Sequence, residues 1–305
     1  MKYFLTLISG IAFCFSIRAQ QLPQGQNLQI DSWLWNPALT AQFNYLEAGG
    51  YYRQQWSEFR GAPRTAFLGA HIPFVEANMG LGLGLGSDEA GPLRQTSVAL
   101  AYAYRIHSLF AYDDQLSFGI SGHGLWYRFS GAGLVANEPD DPALLAVREN
   151  FQSLQAGAGL LYSSTSRDDF EESGFFVGVG ARQLLPAGLQ ANEYWRETLH
   201  FNALLGFRFA NDKSLVEPSV RVHFTSPGQW YANFTARYEY LSGFWAGGAF
   251  STNGALSMMG GFILGSNRTN NTLHLGVQGS FALASRVGGL GSTLEFVAIY
   301  RYYSL

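Results

Sequence analysis

The sequence predicts an all-β protein: an antiparallel transmembrane β-barrel of about 14 strands, after an N-terminal signal peptide. Three observations lead to this prediction. Hydrophobic and polar residues alternate along most of the chain, only 13% of the 305 residues are charged, and aromatic residues reach 15%. A period of two is typical of strands whose two faces meet different surroundings. Because soluble domains carry roughly 25% charged residues, this composition favours a membrane over water.

The first 19 residues have the features of a secretory signal peptide. Lys2 provides a positive charge, "YFLTLISGIAFCFSI" is a short apolar core, and cleavage is expected after Ala19. A membrane anchor, the alternative, needs about 20 apolar residues. Cys14 is the only cysteine, so the mature chain is expected to lack disulfides and thiolate metal sites. We assign residues 1–19 to the signal peptide, 20–42 to an N-terminal periplasmic segment and 43–305 to the barrel.

Alternation identifies the strands one after another. In "WYANFTARYEY", Trp230, Phe234 and Tyr238 share one face, whereas Arg237 and Glu239 lie on the other. Short connections such as "TSPG" and "TNG" favour antiparallel neighbours, and most strands are close to the 9–11 residues that cross a bilayer at a tilt. The predicted strands are 43–56, 64–74, 78–86, 95–105, 115–129, 151–163, 174–184, 198–209, 215–224, 229–240, 243–251, 255–264, 272–281 and 291–303.

The alternation alone does not say which solvent meets the apolar face. In a soluble sandwich this face fills a core, whereas in a membrane barrel it meets lipid. Aromatic residues recur near the ends of the apolar faces, as rings at the two membrane interfaces do. A closed barrel also satisfies every backbone amide within lipid, which an open sheet cannot. We therefore expect a barrel in the bacterial outer membrane.

The orientation follows from the strand count. With both termini in the periplasm, every second connection faces the cell exterior. The expected external loops lie near 57–63, 87–94, 130–150, 185–197, 225–228, 252–254 and 282–290.

Carrying the alternation through the chain places charged residues on the inner wall. Lone charges in such a wall are costly, so opposite charges are expected to pair. We expect one group on the neighbouring strands that span residues 215–240, and a second group where the last strand meets the first. We interpret these residues as a lumen network that stiffens the barrel: Glu47, Arg53, Glu217, Arg221, Arg237, Glu239, Glu295 and Arg301.

A run of glycines also falls on the inner wall. In "MGLGLGLG", residues 79–86, the leucines point outward and the glycines inward, and later strands extend this stripe. Glycines relieve crowding where a sheet curves. They also leave room for a loop, a plug or a protein segment against the wall. Both interpretations remain open from the sequence.

No constellation typical of catalysis is evident. Five histidines, at 71, 123, 200, 223 and 274, fall on the inner face without metal-ligand spacing. Ser121 and His123 share a face, but no orienting third residue can be assigned. Basic runs are missing, which argues against nucleic acid as a partner. The sequence therefore predicts no enzyme activity, no metal and no cofactor.

The N-terminal region "NPALTAQFNYLEAGGYYRQQWSEFRGAPRT" contains three short motifs. They are Asn36, Pro37 and Ala38; Tyr52, Arg53, Gln54, Gln55 and Trp56; and Gly61, Pro63 and Thr65. These motifs and the spacing between them resemble the PorP/SprF family of Bacteroidota, outer-membrane proteins associated with type IX secretion and gliding motility. The glycine-rich strands and the aromatic C-terminal strand are also similar to the family.

The resemblance implies a non-enzymatic component that helps secreted cargo or surface adhesins reach the cell surface and stay there. The implied partners are the C-terminal domain of a secreted cargo or adhesin, other type IX secretion components and outer-membrane lipid. A diffusion porin or a FadL-like channel for hydrophobic solutes is the alternative, since its barrel would give the same sequence pattern.

Overall fold

The barrel predicted from the alternation is confirmed by a computed structural model, which describes residues 30–57, 61–130, 150–165, 173–185, 187–188, 198–225, 228–240, 243–266, 271–283 and 292–303. Fourteen long strands and one two-residue strand form a single antiparallel sheet. The first strand pairs with the last, and this pairing closes the sheet. Residues 1–19, assigned to the signal peptide, lie outside the described residues.

The strands follow one another around the barrel in chain order. They are β1 Leu46–Gln54, β2 Arg64–Phe74, β3 Met79–Ala90, β4 Leu93–His107, β5 Gln115–Phe129, β6 Phe151–Ser163, β7 Gly174–Arg182, β8 Ala187–Gly188, β9 His200–Asn211, β10 Ser214–Thr225, β11 Gln229–Tyr240, β12 Phe244–Ser251, β13 Ala255–Ser266, β14 Asn271–Ala282 and β15 Thr293–Tyr302. Three short helices are described as well: α1 Ser32–Trp35 and the 3₁₀ turns Pro37–Leu39 and Val75–Ala77. No helix among the described residues has the length and apolar character needed to cross a membrane.

The two-residue strand β8 does not add a fifteenth position to the wall. It pairs with the same edge of β6 that β7 occupies. Between β7 and β8, Gln183 has a positive φ of 60°, and the Leu184 amide donates to the carbonyl of Ala156. The chain therefore leaves the ladder for a few residues and returns to it, so β7 and β8 share one place in a barrel of fourteen.

The side chains alternate between the two faces, as the sequence predicts. On β5, the inward-facing Ser121 and His123 are 7% and 3% exposed, whereas the outward-facing Ile120 is 63% exposed. Leu68 and Phe262 are likewise 65% and 69% exposed on the outer face. A band of exposed large hydrophobic residues around a polar interior is the inside-out arrangement of a membrane barrel.

An aromatic row follows the outer face at one end of the barrel. The rings of Phe110, Tyr162, Phe175 and Phe207 form a chain in which successive centroids lie 6.0, 5.9 and 6.4 Å apart. Such rows mark the level of the lipid headgroups, where aromatic rings are favoured. This row lies at the end of the barrel at which the chain enters β1 and leaves β15. Because the longest connections, 130–150 and 183–199, lie at the other end, we assign the aromatic row to the periplasmic side.

The periplasmic turn between β4 and β5 is organised by one carboxylate. The backbone N–H groups of Leu109, Phe110 and Ala111 donate to Asp114 at 2.6, 2.8 and 3.0 Å, and the hydroxyl of Tyr162 donates to it at 3.3 Å. Burial by itself would raise the pKa of Asp114, but these donors outweigh it, and the pKa lies below its ordinary value. The turn is therefore held best when Asp114 is ionised.

Candidate functional site

The chain before β1 lies inside the barrel, and we call residues 30–45 the plug. Ile30, Trp33 and Thr40 are at most 1% exposed, and α1 and the following 3₁₀ turn belong to this segment. The assignment of residues 20–42 to a periplasmic segment is therefore wrong for residues 30–42, whereas residues 20–29 lie outside the described part. The physical reason is hydrophobic: Trp33, Trp35 and Leu39 lose their water contacts inside the lumen.

Glycines of the inner wall make room for the plug. A Cβ atom on Gly180 would lie 2.5 Å from the carbonyl oxygen of Trp35. A Cβ on Gly119 would run into the backbone between Pro37 and Ala38, and one on Gly159 into the side chain of Asn36. At these three positions the glycine allows a close approach of the plug backbone or side chain. The interpretation that the stripe accommodates a segment therefore holds here.

Directed hydrogen bonds hold the plug in place. The Asn36 side chain accepts from the backbone N–H of Ala38 at 3.0 Å and donates to the carbonyl of Leu160 at 3.1 Å. The Asn202 amide donates to the carbonyl of Trp35 at 2.6 Å. Because both partners of each bond are inside the wall, losing either would leave a buried polar group without a partner.

Aromatic and charged groups surround the tryptophan at the centre of the plug. The guanidinium of Arg182 lies 5.0 Å from the Trp35 ring centroid, at cation–π distance. The ring of His223 meets Trp35 edge-on at 5.2 Å. Nearer the start of the plug, the hydroxyl of Tyr51 donates to Asp31 at 3.3 Å. The plug is thus fixed by its own hydrogen bonds and by the wall on several sides.

A network of charges lines the periplasmic half of the lumen, beside the last residues of the plug. Glu47 on β1 forms an ion pair with Arg301 on β15 at 2.8 Å, and its other carboxylate oxygen lies 3.3 Å from Nε2 of His71 on β2. Arg301 also approaches Glu239 at 3.7 Å, and Glu239 is bonded to Arg237. The pair of Glu47 and Arg301 joins the first strand to the last, where the sheet closes.

The remaining residues of the expected network have other partners. Glu217 faces Arg237 in the strand register, but its ion pair is with Arg208 at 2.9 Å. Arg53 and Glu295 are partners in the register of β1 and β15. Arg221 is 4% exposed, and among the described residues no carboxylate lies within ion-pair distance of it. Glu47, Arg301, Glu239 and Arg237 thus form one connected set of ion pairs, and Glu217 is joined to Arg208.

Two small cavities remain in the lumen. The larger, which we call the lumen cavity, has a volume of about 90 Å³ and lies beside the periplasmic part of the plug. The other, near Trp35 and Tyr51, measures about 50 Å³. These volumes hold a few water molecules. Beside residues 30–45, the plug and the described part of the wall thus leave spaces of this size. The lumen cavity is lined by Leu39, Gln42, Phe43, Tyr45, Glu47, His71, Leu204, Arg208, Leu215, Glu217, Ser219, Arg221, Arg237, Glu239 and Arg301, among others.

The serine and histidine on β5 are in contact, but their arrangement does not suit nucleophilic catalysis. Ser121 Oγ lies 3.0 Å from His123 Nε2, and His123 Nδ1 lies 3.4 Å from a guanidinium nitrogen of Arg182. Arginine can only donate, so Nδ1 accepts and the proton sits on Nε2. That nitrogen donates to the serine instead of taking its proton, the reverse of a catalytic triad. Among the described residues, no group of three or more His, Cys, Asp or Glu side chains is placed to hold a metal.

The residues on which the family resemblance rests fall into two groups. Asn36, Pro37 and Ala38 belong to the plug and face the inner wall. The others lie along β1, the β1–β2 connection and the start of β2, towards the external end. There Arg53 donates to Thr65 at 3.4 Å, and Thr65 donates to Asp88 at 2.5 Å.

Hydrogen bonds organise the connection that carries the second group. The carbonyl of Pro63 accepts from Gln55 at 2.9 Å, and the carbonyl of Gly61 accepts from Gly91 at 3.0 Å. Gly61 has a positive φ of 79° and Trp56 of 51°, so the turn uses left-handed backbone that favours glycine at position 61. Tyr52 is 44% exposed on the outer face, and Gln54 ends β1. This connection is thereby tied to the neighbouring β3–β4 turn.

The family model described as type IX secretion system membrane protein PorP/SprF matches residues 17–300. The chain belongs to the PorP/SprF family. Membership makes it a membrane component of the type IX secretion system, with other components of that system as partners. A PorP/SprF barrel with a lipid-facing outer band is an outer-membrane protein. The family and the fold are those of secretion or channel proteins and not of a known enzyme family.

Solved structures of other barrels share the fold of this PorP/SprF protein. The structure described as the CymD monoaromatic hydrocarbon channel is 14% identical, with a TM-score of 0.53 over 92% of this chain and 94% of that chain. The Pseudomonas putida toluene transporter TodX is 9% identical, with a TM-score of 0.46 over 85% and 88%. At 14% identity, the likeness to the CymD structure shows the fold alone. No curated protein matches the sequence significantly.

The plug is the part of the site that the sequence analysis missed. A signal was available in "DSWLWNPALTAQ", where two tryptophans and two leucines precede the first strand. A solvated periplasmic segment would rarely carry so much apolar surface. Asn202 also escaped notice, because a single asparagine on an inward face has no sequence pattern that indicates its partner.

Proposed function

We propose that this PorP/SprF-family barrel supports the secretion of cargo proteins such as adhesins, or their attachment at the cell surface, including the adhesins of gliding motility. The observation that carries the proposal is the filled lumen. Its own residues 30–45 occupy the space through which a diffusing solute would pass. A barrel filled in this way suits a scaffold that holds other proteins at the membrane.

The partner we propose is the C-terminal domain of a secreted cargo, bound at the external end. The connection of residues 55–63 supports this choice, because backbone hydrogen bonds link it to Gly91 and to Ser292 on neighbouring connections. A surface fixed in its bound shape loses less conformational entropy on association.

Deletion of the gene, followed by surface proteomics, tests this function. The expected result is the loss of one or a few cargo proteins from the cell surface, restored by the intact gene. Co-purification of the same cargo with the barrel from outer membranes would identify the partner. Unchanged surface proteins in the deletion strain would contradict the proposal.

A diffusion porin or a channel for hydrophobic solutes is the alternative function. The filled lumen argues against it, since the cavities of about 90 and 50 Å³ are far from a continuous path. Conductance of the purified protein in a planar bilayer separates the two functions. The plugged barrel is expected to give no steady open-pore current, whereas a porin conducts ions at once.

A further inference from the structure

Charged residues on the outer face of the barrel are confined to one place. In the described strands, the Asp, Glu, Lys and Arg side chains belong to the inward-facing set with four exceptions, all of them exposed. The exceptions are Arg64 on β2, Glu89 on β3, Arg94 on β4 and Arg128 on β5. They are successive cross-strand partners, because Glu89 faces both Arg64 and Arg94, and Arg94 also faces Arg128. We call these four residues the arginine row.

The arginine row lies near the external end of the barrel, where β2 and β4 begin and β3 and β5 end. Further towards the periplasm, the same face presents Trp126, which is 43% exposed, and then Leu68 and Leu85, which are 65% and 49% exposed. Tryptophan is favoured at the level of the headgroups, and the apolar band beyond it meets hydrocarbon. The row therefore stands at the headgroup level of the outer leaflet.

The charges of the row do not neutralise one another. Three guanidinium groups stand with a single carboxylate, and Arg94 lies directly opposite Arg128. Like charges at directly opposite positions of a sheet are destabilising. Among the described residues, none of the four side chains is within ion-pair distance of an opposite charge, Glu89 included. This arrangement favours an anion supplied from outside the chain.

Backbone hydrogen bonds fix the strand ends next to the row. The Gly91 amide donates to the carbonyl of Gly61 at 3.0 Å, and the Ser130 amide donates to the carbonyl of Pro92 at 2.8 Å. Because neighbouring strands lie about 4.8 Å apart, the row spans roughly 14 Å across β2 to β5. Its positive groups are thus held on a rigid wall, and only their side chains lose freedom when a ligand binds.

We propose that the arginine row binds the phosphate groups of a phosphorylated glycolipid in the outer leaflet of the outer membrane. The guanidinium groups of Arg94 and Arg128 donate to the phosphate oxygens, since planar guanidinium groups match phosphate geometry. The acyl chains of the same lipid lie along the apolar band below. One sector of the wall, β2 to β5, thereby acquires a bound lipid, and this binding is independent of the cargo role.

Equilibrium binding of radiolabelled bisphosphoryl lipid A to the purified full chain in a nonionic detergent tests the proposal. The dephosphorylated form of the same lipid is the matched ligand, and inorganic phosphate is the competitor that separates a lipid from a free anion. We expect saturable binding of the phosphorylated lipid, at least about ten-fold weaker binding of the dephosphorylated form, and no displacement by equimolar phosphate. Binding should also weaken as the NaCl concentration rises, because exposed charges are screened by salt.

Variants of the row test its residues. The double variant Arg94→Gln/Arg128→Gln should bind lipid A at least about ten-fold more weakly, because both charge-assisted contacts are lost. Glu89→Gln removes the only carboxylate of the row and should bind lipid A more tightly. The matched control is Lys213→Gln, which removes an exposed positive charge from the turn between β9 and β10 at the periplasmic end and should bind as the parent does. Circular dichroism checks that each variant is folded.

Four results would overturn the site. They are no saturable binding of lipid A by the parent chain, which would leave an acidic protein segment as the partner of the row; equal binding of the phosphorylated and dephosphorylated lipids; displacement of lipid A by equimolar phosphate; or a folded Arg94→Gln/Arg128→Gln variant that binds as tightly as the Lys213→Gln control.

Discussion

Replacing Gly180 by alanine tests whether the plug is seated as described. The new Cβ would lie 2.5 Å from the Trp35 carbonyl oxygen and 2.8 Å from the Asn202 amide nitrogen. Ordinary contacts to carbon need about 3.5 Å, so the Trp35 carbonyl has to retreat by roughly 1 Å. The hydrogen bond between Asn202 and Trp35, now 2.6 Å, would then exceed the usual length limit.

Two opposing effects decide how much Gly180→Ala changes the free energy of unfolding. Overpacking a closed site costs about 1–3 kcal/mol, whereas glycine to alanine stabilises by about 0.4–1 kcal/mol through the unfolded state where the backbone permits it. At Gly180 the first effect should exceed the second. At Gly122, where a Cβ meets nothing within 4 Å, only the second operates, so Gly122→Ala is the matched control.

The assay is urea unfolding of both variants in detergent, followed by tryptophan fluorescence. Because the unfolded-state gain is common to both variants, we expect Gly180→Ala to be less stable than Gly122→Ala by the overpacking cost alone, about 1–3 kcal/mol. Hydrogen exchange should also become faster in residues 33–38 of Gly180→Ala alone. Equal stability of the two variants, with unchanged exchange in the plug, would refute the close approach of the plug to β7.

Three further predictions concern other contacts. Glu47→Gln should lower the free energy of unfolding by about 3–5 kcal/mol, because it leaves Arg301 buried with its closest carboxylate removed; the double variant Glu47→Gln/Arg301→Met should recover part of the loss in urea unfolding. Asn202→Ala should cost about 1–3 kcal/mol by orphaning the Trp35 carbonyl, and exchange of the plug amides should rise in mass spectrometry. The pKa of Asp114 is lower in the folded chain, so its stabilising effect is present above the unfolded pKa of about 3.9 and is lost as the pH falls through the folded value; exchange in residues 108–114 should therefore rise below pH 4, and Asp114→Asn should remove this pH dependence.

The strands and their faces could be predicted from the sequence because both depend on local alternation. Ile120 and His123 lie on opposite faces of β5 because they are three residues apart, and an odd spacing changes the face in a strand. The prediction that lipid surrounds the barrel and polar side chains face its lumen then followed from the composition. The antiparallel contact of β1 with β15 required only that the barrel close with its termini on the same side, whereas the register that sets Glu47 opposite Arg301 is seen only in the structure.

The interior of the lumen could not be predicted in the same way. The plug has no period of its own, and its position depends on contacts such as Asn36 with Leu160 that are 124 residues apart. The ion pair of Glu217 with Arg208 leaves no sequence signal for a related reason. Pro218 interrupts the β9–β10 ladder, and Arg208 reaches Glu217 across the gap. Long-range contacts and local exceptions to the ladder leave no periodic signal.

The position of the plug also constrains the order of assembly. The plug immediately precedes β1, and the glycines that make room for it lie on β3, β5, β6 and β7, in the first half of the wall. A growing sheet can therefore curl around a core that is already present, with the second half joining later. We therefore expect the plug to be in place before the sheet closes, with the strands that follow it in the chain folding around it.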